Sequence, residues 1–89
     1  MQEKKLILSN KLGLHARASM KLTDLAMAFG SHIQIGYQGR LVNAKSIMEV
    51  MVLGATYEQE VLIRAEGDDA QAAVEAIADL IMNRFGESE

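Results

Sequence analysis

The chain has 89 residues and neither cysteine nor tryptophan, so one domain, residues 1–89, is expected around a core about two layers thick, without disulfides, thiolate chemistry or a cysteine-based zinc site. Nine basic and twelve acidic residues leave a net charge of −3, with only two tyrosines and two phenylalanines for stacking, a balance that argues against nucleic acid as a partner. No apolar run approaches the ~20 residues of a membrane span, and residues 1–8 are too short a run for a signal peptide, so a soluble cytoplasmic protein with no membrane partner is expected.

Residues 5–9 read as a first strand, and residues 10–14, with Gly13, as a loop. Residues 16–29 read as a helix, with Ala18, Leu22, Leu25, Ala26 and Phe29 on one face and Gly30 as its stop. Ile33, Ile35 and Tyr37 alternate as in a half-buried strand. Gln38-Gly39 then turns into a short return strand over residues 40–43. Ser46-Ile47-Met48-Glu49 matches a capping box, in which the serine hydroxyl and the glutamate carboxylate each satisfy an orphan amide, so the run ending at Gly54 is expected to be a short helix. Residues 60–66 alternate as a fourth strand. Asp68 and Asp69 offer N-caps to a last helix, residues 70–85, with Val74, Ile77, Ala78, Ile81 and Phe85 as its buried stripe; Gly86 and an acidic tail follow. The order β-α-β-β-α-β-α implies an α+β fold of two layers, with helices on one face of a mostly antiparallel sheet. Periodicity leaves the strand order open, and the first six elements also suit a ferredoxin-like topology.

One short cluster has chemical promise: Gly13-Leu14-His15-Ala16-Arg17. Unpaired N–H groups and the positive dipole end make a helix start a good anion site. An arginine adds a fork for phosphate oxygens, and a neutral imidazole is a competent nucleophile. Histidine is a poor capping residue, so its place at this boundary breaks a local rule, as functional residues often do. Read from spacing alone, His15 is more often an exposed loop residue. His32 has no comparable setting, and two isolated histidines make no metal site.

The run Asn10-Lys11-Leu12-Gly13-Leu14-His15-Ala16-Arg17 resembles the active-site signature of the HPr phosphocarriers of the bacterial phosphoenolpyruvate-dependent phosphotransferase system, and Asn43-Ala44-Lys45-Ser46-Ile47-Met48 resembles that family's regulatory serine segment. The resemblance covers essentially the whole chain. It implies an open-faced two-layer sandwich with strand order 1-4-2-3. It also implies phosphorylation of His15 at Nδ1, phosphate stabilisation by Arg17 and regulatory phosphorylation of Ser46. The implied partners are Enzyme I as donor, enzyme IIA-type proteins as acceptors and a serine kinase/phosphorylase. No cofactor is implied. The chain would be a phosphohistidine intermediate in sugar uptake or regulation and not a self-sufficient enzyme. The family usually has proline after the arginine, where this chain has Ala18.

With Ala18, Leu22, Leu25 and Phe29 buried, Arg17, Met20, Asp24 and Met27 fall on the opposite side of the first helix. Met20, Lys21 and Asp24, with Ile47, Met48 and Met51 from the short helix, are the expected partner-binding residues, because flexible methionines adapt to several partners. The carrier is expected to be a monomer. Two other readings are a nitrogen-branch or mainly regulatory carrier and a non-catalytic ferredoxin-like binding module; strand order discriminates against the last.

Overall fold

In the computed structural model, which describes residues 1–89, strands and helices follow in the order β1 (Gln2–Ile7), α1 (Ala16–Ala26), β2 (His32–Tyr37), β3 (Arg40–Asn43), α2 (Ile47–Val52), β4 (Glu60–Glu66) and α3 (Ala70–Met82). The strands form one sheet in the order β1-β4-β2-β3, and every pairing is antiparallel. This is the 1-4-2-3 order, and it excludes the ferredoxin-like alternative.

Register follows from the period-two pattern. Leu6 stands opposite Val61, Ile35 opposite Ile63 and Ile33 opposite Ala65, and all six side chains are buried. The other face is mixed. In one row Glu3, Arg64, Gln34 and Asn43 lie side by side across the four strands, and Arg64 Nε donates to Glu3 at 2.5 Å, while the next row is Lys5, Leu62, Gly36 and Leu41. The helices cover the apolar face with Ala18, Leu22 and Ala26 of α1, Val50 of α2, and Ala73, Val74, Ile77, Ala78 and Ile81 of α3. Fully burying each larger aliphatic side chain contributes about 1.5–3 kcal/mol.

Three boundaries differ from the sequence reading. The first strand runs over residues 2–7 instead of 5–9, because β4 pairs with its polar start as readily as with its apolar end; Leu8 is buried but bonds to the 58–59 segment beyond the ladder. The first helix stops at Ala26, where Ala28 and Phe29 tighten to bonds three residues back, and Leu25 and Phe29 are only partly buried. Gly30 is not a left-handed cap; its N–H donates to Asp69 Oδ2 at 2.9 Å, and Lys45 Nζ binds the Phe29 carbonyl at 2.7 Å. The last helix ends at Met82, and Phe85 reaches the core from a separate turn with φ +56°. The β2–β3 hairpin turns at Gln38 and Gly39 with φ of +51° and +82°, the left-handed pair that matches strand twist.

Asp69 precedes α3 but does not cap it through its side chain. Its carboxylate accepts from the Gly30 and Ser31 amides and from the Ser31 hydroxyl, tying the start of α3 to the start of β2. The Ser31 hydroxyl, then the Gly30 amide, hold the Asp69 carboxyl below its ordinary value against the opposing effect of desolvation. A depressed folded value means the stabilisation is fully present above the unfolded value of 3.8 and is lost as pH falls through the folded value. Asp69→Ala should therefore melt below the parent at neutral pH, and the gap should shrink as pH is lowered past that range. Thermal melts of both proteins across an acid pH series check this.

Candidate functional site

The segment between β1 and α1 is held from both sides. Gly13 N–H closes a turn on the Asn10 carbonyl at 3.1 Å, and Leu14, buried, donates its amide to the Ala55 carbonyl at 3.1 Å. Gly13 has φ +63°, and a Cβ there would lie 2.7 Å from both the Ala55 carbonyl oxygen and Thr56 Cα. Only glycine meets both demands. His15 follows in the N-cap position with extended backbone (φ −72°, ψ 177°), and its carbonyl accepts the first helical bond, from Ser19 at 2.8 Å. Its side chain makes no capping bond. The amides of Ala16, Arg17 and Ala18 have no backbone partner, so the end of α1 keeps its donors.

The other wall comes from the end of the chain. Arg84, Phe85 and Gly86 all adopt left-handed φ (+57°, +56° and +79°) and reverse the chain after α3. The Phe85 side chain is sunk in the core, and Lys21 Nζ binds the Phe85 carbonyl at 2.7 Å. Glu87 is thereby brought to His15: Oε2 lies 2.5 Å from Nε2, and the two side chains are 18% and 26% exposed. Asn10, fully buried, donates from Nδ2 to Glu87 Oε1 at 3.1 Å and to the Gly13 carbonyl at 2.8 Å. Lys11 N–H binds the Glu89 main-chain oxygen at 2.9 Å. Desolvation pushes the Glu87 carboxyl up, but the hydrogen bonds from His15 and Asn10, with the charges of His15 and Lys21, outweigh it and hold the group below its ordinary value. Nδ1 of His15 has no hydrogen-bond partner.

The residues singled out in the sequence are placed as follows. Arg17 is exposed, forms no ion pair or side-chain hydrogen bond, and lines the same shallow depression as Leu12, His15 and Glu87. Ser46 is the N-cap of α2, and its hydroxyl accepts from Glu49 N–H at 3.3 Å. The capping box is only half formed, because the Glu49 carboxylate takes the Asn43 amide at 3.2 Å while Ser46 N–H turns to the Asn43 carbonyl. Met20, Asp24, Ile47, Met48 and Met51 are exposed on two helices that pack against each other. Lys21 is exposed, yet its ammonium is committed to the C-terminal turn. Sequence reasoning missed Glu87, which lies 72 residues from His15 and reads as part of a solvated acidic tail. The one available signal was Phe85-Gly86, an apolar anchor and a flexible residue just before it.

A family model described as the PTS HPr component phosphorylation site matches residues 2–83. The phosphocarrier protein HPr of Cupriavidus necator is 54% identical over 80 residues, 90% of each chain, and that of Xylella fastidiosa strain 9a5c is 46% identical over 87 residues, 98% of each. Among solved structures, HPr-C-His from Thermoanaerobacter tengcongensis superposes with a TM-score of 0.96 at 42% identity, with both chains fully covered.

Gly13→Ala tests how rigidly the loop is set. A left-handed alanine costs about 1–3 kcal/mol before its collision with the Ala55–Thr56 backbone is counted. The variant should lose at least that much stability in urea unfolding and shift the His15 ring resonances.

Proposed function

The chain belongs to the HPr family, the phosphocarriers of the phosphotransferase system, and from that premise we propose that His15 is the residue that bears the phosphoryl group. The observation that carries this reading is an imidazole at the open N-terminal end of α1 with Nδ1 unengaged and an uncommitted arginine two residues on. The Nδ1 lone pair attacks phosphorus as the bond from phosphorus to the donor's nitrogen breaks and that electron pair returns to the donor. Transfer to an acceptor runs the same step outward. The partner supplies alignment of the two nitrogens, and the carrier supplies charge.

Arg17 and the free amides of α1 take the phosphoryl oxygens. Ala18 retains an N–H that the family's usual proline lacks; the residue is fully buried, so this amide adds to the positive end of the helix without facing a ligand. Membership of the family implies phosphotransferase partners. Enzyme I as donor and IIA-type proteins as acceptors dock, in this reading, on the exposed apolar residues of α1 and α2, where Met48 is 73% exposed. Leu12 and Val52, at 69% and 59% exposed, extend the apolar material available to them. No helix is long and apolar enough to cross a membrane.

Incubation with Enzyme I and phosphoenolpyruvate should give one acid-labile, alkali-stable phosphorylation that mass spectrometry finds in the parent and not in His15→Ala. Arg17→Ala should fold normally and transfer about tenfold to a hundredfold more slowly, the value of a charge-assisted contact of roughly 1.5–3 kcal/mol. Equal labelling of His15→Ala removes His15 from the site.

Ser46 is proposed as the regulatory position. Its cap on α2 survives in Ser46→Asp, since aspartate caps as well as serine, while the added charge beside Met48 and Glu49 should weaken Enzyme I binding. Calorimetric titration at two salt concentrations should show the loss shrinking as salt rises. Equal affinities place Ser46 outside that interface.

A further inference from the structure

We propose that Glu87 is a positioning residue for phosphoryl transfer: by accepting the Nε2 proton of His15 in a hydrogen bond it fixes the ring tautomer that leaves Nδ1 as the nucleophile. The inference rests on His15 being the phosphoryl acceptor.

A neutral imidazole has one N–H and one lone pair, and either nitrogen can hold the proton. An ionised carboxylate only accepts. With Oε2 of Glu87 2.5 Å from Nε2, the proton belongs on Nε2 and the lone pair on Nδ1, the nitrogen that has no hydrogen-bond partner. The same contact serves the next step. When Nδ1 bonds to phosphorus while Nε2 keeps its proton, the ring acquires positive charge, and a carboxylate at hydrogen-bond distance compensates it. In the outward transfer the Nδ1–phosphorus bond breaks, its electron pair returns to Nδ1, and the ring is again neutral with Nε2–H. No proton enters or leaves His15 over the cycle.

Glu87 is also held more firmly than a solvated tail residue requires. Glu89, two residues on, has a side chain 71% exposed, whereas that of Glu87 is 18% exposed. Phe85 anchors the turn in the core, Lys21 fastens its carbonyl, and Asn10 directs the carboxylate. The orientation of the Asn10 amide is fixed by its partners, since the Gly13 carbonyl and Glu87 Oε1 are both acceptors and only Nδ2 can face them.

This arrangement makes the isosteric variant more informative than truncation. In Glu87→Gln, Asn10 Nδ2 still requires an acceptor, so the new carbonyl takes the place of Oε1 and the amide NH₂ faces Nε2. Nε2 must then accept, and the proton moves to Nδ1, blocking the nucleophile. Glu87→Ala removes the bias without reversing it.

The test is long-range nitrogen–proton NMR of the His15 ring in alkaline solution, combined with the rate of phosphoryl uptake from phosphorylated Enzyme I, for the parent, Glu87→Gln and Glu87→Ala. The parent should show Nε2–H. The glutamine variant should show mainly Nδ1–H and the slowest uptake, roughly tenfold to a hundredfold below the parent, and the alanine variant should show a mixture of tautomers and an intermediate rate. Dominant Nε2–H in both variants overturns the proposal, as do uptake rates indistinguishable from the parent. A parent protein phosphorylated by Enzyme I at a residue other than His15 overturns the assignment of His15 instead, and phosphopeptide mapping separates the two failures.

Discussion

The Asn10 carboxamide is fully buried and donates through Nδ2 to two oxygens, the Gly13 carbonyl and the Glu87 carboxylate. A buried donor left unpaired costs about 1–3 kcal/mol, so both partners are held where Nδ2 can reach them. One arm sets the turn through Gly13 that delivers His15 to the start of α1. The other sets the chain end that meets Nε2. Since Asn10 lies three residues past the end of β1 and Glu87 follows the turn after α3, this amide joins the two ends of the fold at the imidazole. The open N-terminal end of α1 and the unengaged Nδ1 of His15 lie beside that junction.

The sandwich was legible because its signals are local. Alternation in residues 33–37 and 60–66 sets which faces are buried, Gln38-Gly39 marks the hairpin, and Ser46 marks the start of α2. Periodicity was silent on strand order, which depends on pairings between distant segments; the 1-4-2-3 order came from the resemblance. His15 drew notice because a histidine at a helix boundary breaks a local preference, but spacing alone did not separate it from an exposed loop residue, and the roles expected of His15 and Arg17 came from the resemblance. Glu87 was not readable, because its role depends on three successive left-handed residues and a lysine from another helix. Asp69 misled for a related reason. Its position before α3 suggested a cap, but the tertiary contact with Gly30 and Ser31 won the carboxylate. The capping box at Ser46 was half right, since Glu49 found the Asn43 amide instead.

The charge pattern around His15 is mixed. The chain carries net −3, yet the unpaired Arg17 lines the same depression as His15, and three amides at the start of α1 have no backbone partner. Glu87 sits on Nε2, where its negative charge favours a proton on that edge of the ring.

The exposed apolar residues of α1 and α2 have a further consequence. With His15 as the proposed bearer of the group, every donor and acceptor must reach a single imidazole in a depression lined by the loop before α1, the start of α1 and the chain end at residues 87–89, so no two proteins can be served at once. Each visitor must leave before the next arrives, which makes residence time, and not grip, the limit on traffic. The exposed, adaptable side chains of Met20 and Met48, proposed above as docking residues, suit brief visits by many callers. Acceptors that never touch one another are then linked through occupancy alone: a busy one lengthens the queue for all the rest.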